Sequence, residues 1–288
     1  QKKGNVKTHA TKVRVKMKLR ILSLGAGVQS SALAMLIEQG KVPMVDAAIF
    51  ADVGAEPREV IEWLDWLKTK ISYPLFVVQD RNLKEDLELM ASGKYKKIPI
   101  PIFTLNEHGK KGMNRRACTA DYKIKPVTQK IRQLLGLAKG ERRKNGTEVE
   151  LLMGISTDEV QRMKTNQIKY FNNVYPLIDM GWNRAKCISW FQENYNKTPP
   201  RSACTFCPFH SNEEWKRVKS NKEEWDKVVA LEKSFIENRE LITKTTGMKD
   251  AMYLNRKCVP IDEIDFDEGK NKDQLDMFNN ECEGMCGV

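Results

Sequence analysis

The stretch LRILSLGAGVQSSALAMLIEQG, residues 19–40, decides the fold. Residues 19–24 are a short apolar run of the kind that forms a strand buried on both faces. Gly25, Ala26 and Gly27 break that run. A helix over 29–39 follows, with Leu33, Leu36 and Ile37 on one face and Gly40 placed to stop it. The same unit recurs outward: a strand at 45–51, a helix at 57–70 with Pro57 in its first turn, and a strand at 74–79. Beyond a basic, turn-rich stretch at 92–125 come a helix at 126–137, a strand at 148–155 and a helix at 184–195 capped by Asn183. Residues 211–240 read as polar, Trp-dotted helix. Strands alternating with helices imply parallel crossovers, hence an α/β fold with a doubly wound, mainly parallel sheet and a helical, cysteine-bearing C-terminal part. In such sheets ligands bind beyond the carboxyl ends of the strands.

Composition agrees with a folded chain: 41% hydrophobic and 30% charged residues, with no apolar run of membrane-spanning length. No apolar signal core follows the basic start, so a cytoplasmic protein with no membrane partner is expected. The net charge of +11 is unevenly spread. Residues 1–16 hold six Lys or Arg and no acid, which reads as an added leader, a poorly ordered arm, or an arm for nucleic acid. Residues 261–283 hold nine acids against Lys270 and Lys272. The chain therefore divides into a leader at 1–16, a nucleotide-binding domain at 17–210, a helical extension at 211–260 and an acidic tail at 261–288.

Small residues in a strand-to-helix turn let backbone N–H groups approach a phosphate, and the helix N-terminus adds positive potential. Ser30 and Ser31 can add hydroxyl donors. The loop fits neither the Walker A pattern nor GxGxxG. Seven cysteines, an odd number, favour metal or redox use over a disulfide framework. Cys204-Thr205-Phe206-Cys207 is a CxxC whose two thiolates can grip one metal or one cluster edge. Cys118, on a separate loop, and Cys187, on the helix before the CxxC, complete a four-ligand set. A 4Fe–4S cluster, a structural zinc and a metal-free redox pair all remain open for it. Cys258 reads as structural, and His210 as a ligand, a proton donor or a helix-cap residue. Arg115, Arg116, Lys123, Lys125, Arg162, Arg184 and Arg201 fall in the same loops and suit sulfate or phosphate oxygens. Trp63, Trp66, Trp190, Trp215 and Trp225 read as packing residues.

Gly25-Ala26-Gly27-Val28-Gln29-Ser30 resembles the SGGxDS loop of the PP-loop, or adenine nucleotide alpha-hydrolase, superfamily. That superfamily comprises ATP pyrophosphatases and phosphoadenosine phosphosulfate (PAPS) reductases. Gly25 stands for the first Ser and Gln29 for the acid, a departure closer to the PAPS reductase branch than to ATP cleavage. Residues 50–57 (FADVGAEP) resemble the D-T-G element near the adenosine. Residues 115–126 resemble the Cys-x-x-x-(Arg/Lys)-Lys stretch that ends in Pro. Gly154 to Arg162 resembles a segment whose last Arg faces phosphate or sulfate, and Tyr175 to Asp179 with Trp182 resembles a Pro-initiated turn. SLGAGVQS, SACTFCPFH and the closing CEGMCGV are similar to a phage and bacterial PAPS reductase-like subgroup.

The resemblance implies an adenine nucleotide (PAPS, adenylyl sulfate, or ATP with Mg) held by Ser23, Gly25, Gly27, Gln29, Ser30, Ser31, Asp52, Gly54, Lys123, Lys125, Gly154 and Arg162. It implies a 4Fe–4S cluster, or less directly zinc, on Cys118, Cys187, Cys204 and Cys207. It also implies Cys282 or Cys286 as the nucleophile that handles sulfur. The partners implied are a thiol or thioredoxin-like electron donor, or a sulfur donor. Two rival readings stay open: an iron–sulfur-dependent sulfurtransferase or ATP pyrophosphatase that thiolates tRNA or DNA, and a non-enzymatic module that senses nucleotide or metal.

Overall fold

The computed structural model describes residues 18–143 and 145–267. Five strands form one parallel sheet: β1 (Lys18–Leu24), β2 (Ala47–Ala51), β3 (Leu75–Val78), β6 (Glu148–Met153) and β7 (Phe171–Val174). Their order is β3-β2-β1-β6-β7, and every neighbouring pair is parallel. The chain winds outward from β1 to β3, then returns to the other side of β1 for β6 and β7. The direction of winding thus reverses between β1 and β6, where an open α/β sheet leaves its ligand crevice.

Sequence alternation decides which side chains serve which layer. Leu22, Leu24, Phe50 and Leu152 face α1 (Val28–Glu38), α2 (Arg58–Lys68) and α6 (Arg184–Tyr195). Ile21, Ile49, Val149 and Leu151 face α4 (Lys125–Leu134) on the opposite side. The apolar β1 run is buried from Ile21 onward, as expected of a central strand covered on both faces.

A third core lies apart from these two. It joins α3 (Leu83–Ala91), α7 (Asn212–Ser220), α8 (Lys222–Glu237) and α9 (Arg239–Thr246) to a small antiparallel sheet of β4 (Phe103–Leu105), β5 (Lys111–Met113) and β8 (Ala251–Tyr253). The polar, Trp-dotted stretch is indeed helical, but the turn-rich stretch hides two strands of this small sheet. Trp215 is fully buried at its centre against His210, Trp225 and Phe266. Glu232 ties α8 to the return of the chain by accepting the N–H groups of Leu254 and Ile261. Burial pushes its carboxyl up to about 7, although those two N–H groups pull the other way. No helix among the described residues is long and apolar enough to cross a membrane.

Candidate functional site

The Gly loop folds on itself through Ser30. Its hydroxyl accepts the Gly25 N–H at 3.2 Å and donates to the Gly27 carbonyl at 3.4 Å. Gly27 precedes α1 as a cap without a side chain, so the first N–H groups of that helix have no side-chain acceptor at the cap. A Cβ on Gly154, just past β6, would lie 2.6 Å from the Ser30 backbone. That contact requires glycine, and it clamps the end of β6 to the start of α1 across the winding reversal. Ser23 and Gly25 line a small pocket with Phe50, Ala51 and Lys123 at the carboxyl ends of β1 and β2.

Gln29 is 2% exposed and both ends of its amide are engaged. Its Nε2 donates to Ser156 Oγ at 3.3 Å, and its Oε1 accepts Arg184 Nη1 at 3.1 Å. Ser156 donates to Asp158 at 2.5 Å, and Asp158 accepts the Arg184 backbone N–H at 3.1 Å. Four residues from three segments thus form a closed polar ring beside the loop. Ser31 does otherwise: its hydroxyl is buried in the core and accepts the Trp63 indole N–H at 2.9 Å.

After β2, Asp52 accepts the Gly54 N–H at 2.8 Å, a turn that needs the left-handed φ of +73° at Gly54. A Cβ at Gly54 would also strike Asn82, which caps α3. A π-helical turn over Thr119–Ile124 leads into α4. Tyr122 anchors it by donating to Asp86, which Arg81 also holds. Burial raises the Asp86 carboxyl, but these two hydrogen bonds outweigh it and hold the group below its ordinary range. The turn delivers Lys123 to the pocket, 3.9 Å from Glu56. Lys125 instead reaches Asp80 at 2.6 Å, and Arg162 reaches Glu159 at 2.6 Å.

The CxxC loop seats directly on this edge. A Cβ on Gly27 would meet Ser202 at 3.2 Å, and the Thr205 N–H donates to the Ala55 carbonyl at 2.9 Å. Cys204 and Cys207 close a tight turn, Cys207 N–H to Cys204 carbonyl at 3.0 Å. The loop is clasped from behind. Glu214, nearly buried, pairs with Arg201, stands 3.6 Å from His210 Nδ1 and accepts the Ser211 N–H. Burial raises the Glu214 carboxyl, yet His210, Arg201 and the Ser211 N–H outweigh it and keep it below its ordinary range.

The four-cysteine ligand set is not assembled. Cys118 and Cys204 pack against the third core, whereas Cys187 is fully buried among α1, α2 and α6 in the first. Cys187 does face inward, as helical spacing predicts, but into a different core. Among the described residues no group of three or more His, Cys, Asp or Glu is arranged to hold a metal ion. With Cys187 in the first core and Cys118 and Cys204 against the third, neither a 4Fe–4S cluster nor a zinc site on these four residues is shown. Cys258 is buried near the Thr104 carbonyl, 3.8 Å from it, and burial pushes its thiol up. Cys282 and Cys286, and the basic leader, lie outside the described residues.

Ser156 and Asp158 are the site residues that pattern reading misses. They carry no signal beyond sitting in the segment after β6, since their partner Gln29 is 127 positions away from Ser156.

Residues 20–199 match the family described as the phosphoadenosine phosphosulfate reductase domain. Among solved structures the chain is similar to a phosphoadenylyl-sulfate (PAPS) reductase from Candida auris, crystallised as a phosphate complex. The identity is 13% and the TM-score 0.38, over 63% of this chain and 74% of that one. No curated protein matches.

Proposed function

The chain belongs to the phosphoadenosine phosphosulfate reductase domain family, and from that premise we propose that it binds a sulfated adenine nucleotide over the Gly loop and reduces or transfers its sulfur through cysteine thiols. One observation carries the reading. The Gly loop, the Asp52 turn and the CxxC loop meet at one edge of the sheet, with Ser202 on Gly27 and Thr205 bonded to Ala55. The surface proposed for the nucleotide and the CxxC loop thus lie side by side.

In this reading the phosphates lie along the N–H groups that open α1, and Lys123 supplies positive charge from the β2 side. A cysteine thiolate attacks the sulfate sulfur. A sulfur–sulfur bond forms, and the sulfur–oxygen bond to the nucleotide phosphate breaks with its electron pair leaving on that phosphate. A second thiolate, from a dithiol donor, attacks the cysteine sulfur. Sulfite departs, and the two thiols that supplied the electrons end as a disulfide. Cys282 and Cys286 are the proposed nucleophiles.

The test uses the full chain, purified without oxygen and given PAPS, adenylyl sulfate or Mg-ATP in parallel with a dithiol. Products are separated by anion exchange and sulfite is assayed. Dithiol-dependent release of sulfite from either sulfonucleotide is the expected result. Conversion of ATP to AMP with both sulfonucleotides untouched would overturn the reading in favour of a pyrophosphatase, and inertness toward all three would overturn it outright.

A further inference from the structure

The reaction proposed above draws two electrons from a dithiol, and the chain holds a pair of thiols at the edge of the same site. Cys204 and Cys207 are the ends of a four-residue turn, closed by the Cys207 N–H on the Cys204 carbonyl at 3.0 Å. Such a turn brings its end Cα atoms within about 7 Å. A disulfide spans Cα separations of about 4.4–6.8 Å. The backbone thus already sets the two cysteines near bridging range.

Neighbouring contacts fix that turn. The Thr205 N–H donates to the Ala55 carbonyl at 2.9 Å, Phe206 is buried in the third core, and the Cys207 carbonyl accepts the His210 N–H at 3.2 Å. The two cysteines differ in access: Cys204 is half-buried and Cys207 is 8% exposed. A pair active in thiol–disulfide exchange needs one reachable thiol to attack and a second behind it to resolve the mixed disulfide. Cys204 suits the first task and Cys207 the second. Ser202, two residues before Cys204, lies against Gly27, which puts the pair beside the Gly loop.

We infer that Cys204 and Cys207 are a redox-active dithiol that supplies the electrons for sulfur reduction from within the chain. The inference rests on the sulfonucleotide-reduction reading and adds an internal reductant to it. The Cys204 thiolate attacks the cysteine sulfur of the S-sulfonate. A new sulfur–sulfur bond forms, the bond to the sulfonate sulfur breaks, and sulfite leaves with the electron pair. Cys207 gives its proton to solvent and attacks Cys204. The carrier cysteine leaves as a thiolate, and the pair ends as a Cys204–Cys207 disulfide. An external dithiol restores it by exchange.

The test uses the full chain, reduced, cleared of small thiols and kept without oxygen. It is equilibrated in glutathione redox buffers, quenched with acid and alkylated. Mass analysis then reads the tryptic peptide of residues 202–216, which contains no other cysteine. A Cys204–Cys207 disulfide that forms and reverses with the buffer is expected. Two thiols that alkylate in every buffer, a link from either one to Cys118, or thiols masked until a metal chelator is added would each overturn the inference. The reduced chain is next given PAPS or adenylyl sulfate with no added dithiol. The parent protein should release roughly one sulfite per chain and end with the same disulfide. C204A should cut that sulfite about tenfold, since exchange needs the attacking thiolate. C207A should release it but stop with Cys204 linked to the carrier cysteine. Undiminished sulfite from C204A would overturn the inference. If C204A fails to fold, the cross-link in C207A decides. A parent protein that makes no sulfite even with an external dithiol removes the reduction reading, and the role inferred here with it, a failure distinct from one seen only in the variants.

Discussion

α1 and α6 flank the Gly loop, and α7, α8 and α9 make up most of the C-terminal layer. Their first turns are built in opposite ways. α1 and α6 carry no acid there. α7, α8 and α9 carry Glu213 and Glu214, Glu223 and Glu224, and Glu240. α7 has a full Ser211–Glu214 capping box and α8 is capped by Asn221. An acid in the first turn stabilises a helix through its dipole by about 0.3–1 kcal/mol. The C-terminal helices use that stabilisation themselves. At α6 the acid comes from another segment, Asp158, which accepts the Arg184 N–H, and α1 has no side-chain cap.

The largest expected effect crosses that divide. Glu214 belongs to the C-terminal layer, but it grips Arg201, next to the Ser202 that covers Gly27. Glu214→Ala removes the buried carboxylate that Arg201, His210 and the Ser211 N–H converge on and should cost about 3–5 kcal/mol in urea unfolding. It should also weaken nucleotide binding, unlike other changes in that layer. The carboxyl of Glu214 ionises more readily in the folded protein than in the unfolded chain. Its stabilisation is therefore present above the unfolded carboxylate pKa of about 4.3 and is lost as pH falls through the lower folded value.

Glu232, in the same layer, should act with the opposite sign. Its folded-state pKa, about 7, lies above the unfolded one. The folded state then binds the proton more tightly, and stability declines as pH rises from about 4.3 to about 7. The span is on the order of 3 kcal/mol. Unfolding midpoints across that range should lose this slope in Glu232→Gln, while nucleotide binding stays unchanged.

Paired glycines sharpen the contrast. Gly154→Ala drives a Cβ into the Ser30 backbone and should cost about 2 kcal/mol together with most of the nucleotide affinity. Gly247→Ala, at the left-handed end of α9 with open space around it, should cost about 1 kcal/mol and no affinity. Denaturation and calorimetry on the same two proteins separate the cases. The smallest effect is that of Lys186→Glu in the first turn of α6. It should add a few tenths of a kcal/mol to stability while weakening PAPS binding, a trade visible only if that helix end serves the ligand.

Much of this was legible in the sequence, for identifiable reasons. β1, the Gly loop and α1 follow from one apolar run, two glycines and a helical stripe, and α6 lies at 184–195 as Asn183 predicts. β7 was not legible. Its Phe-Asn-Asn-Val sequence is an edge strand in which Asn173 bonds to Lys164 and Asn166 of the neighbouring segment, so hydrophobic alternation is lost. In the site, Gln29 and Gly154 stand out as motif positions. The roles of Ser156, Asp158 and Arg184 depend on contacts between distant segments, to which no local spacing points. The cysteines show the same limit: CxxC spacing sets a local turn, but it does not fix which layer receives Cys187.

The central claim is that nucleotide lies across the winding reversal between β1 and β6. Amide hydrogen exchange of the full chain with and without PAPS tests it most directly. Slowed exchange confined to residues 25–31, 52–56 and 154–158 is the predicted result. Unchanged exchange there, with slowing instead in the groove between α3 and α8 around Ala91, Phe206 and Leu231, would contradict it.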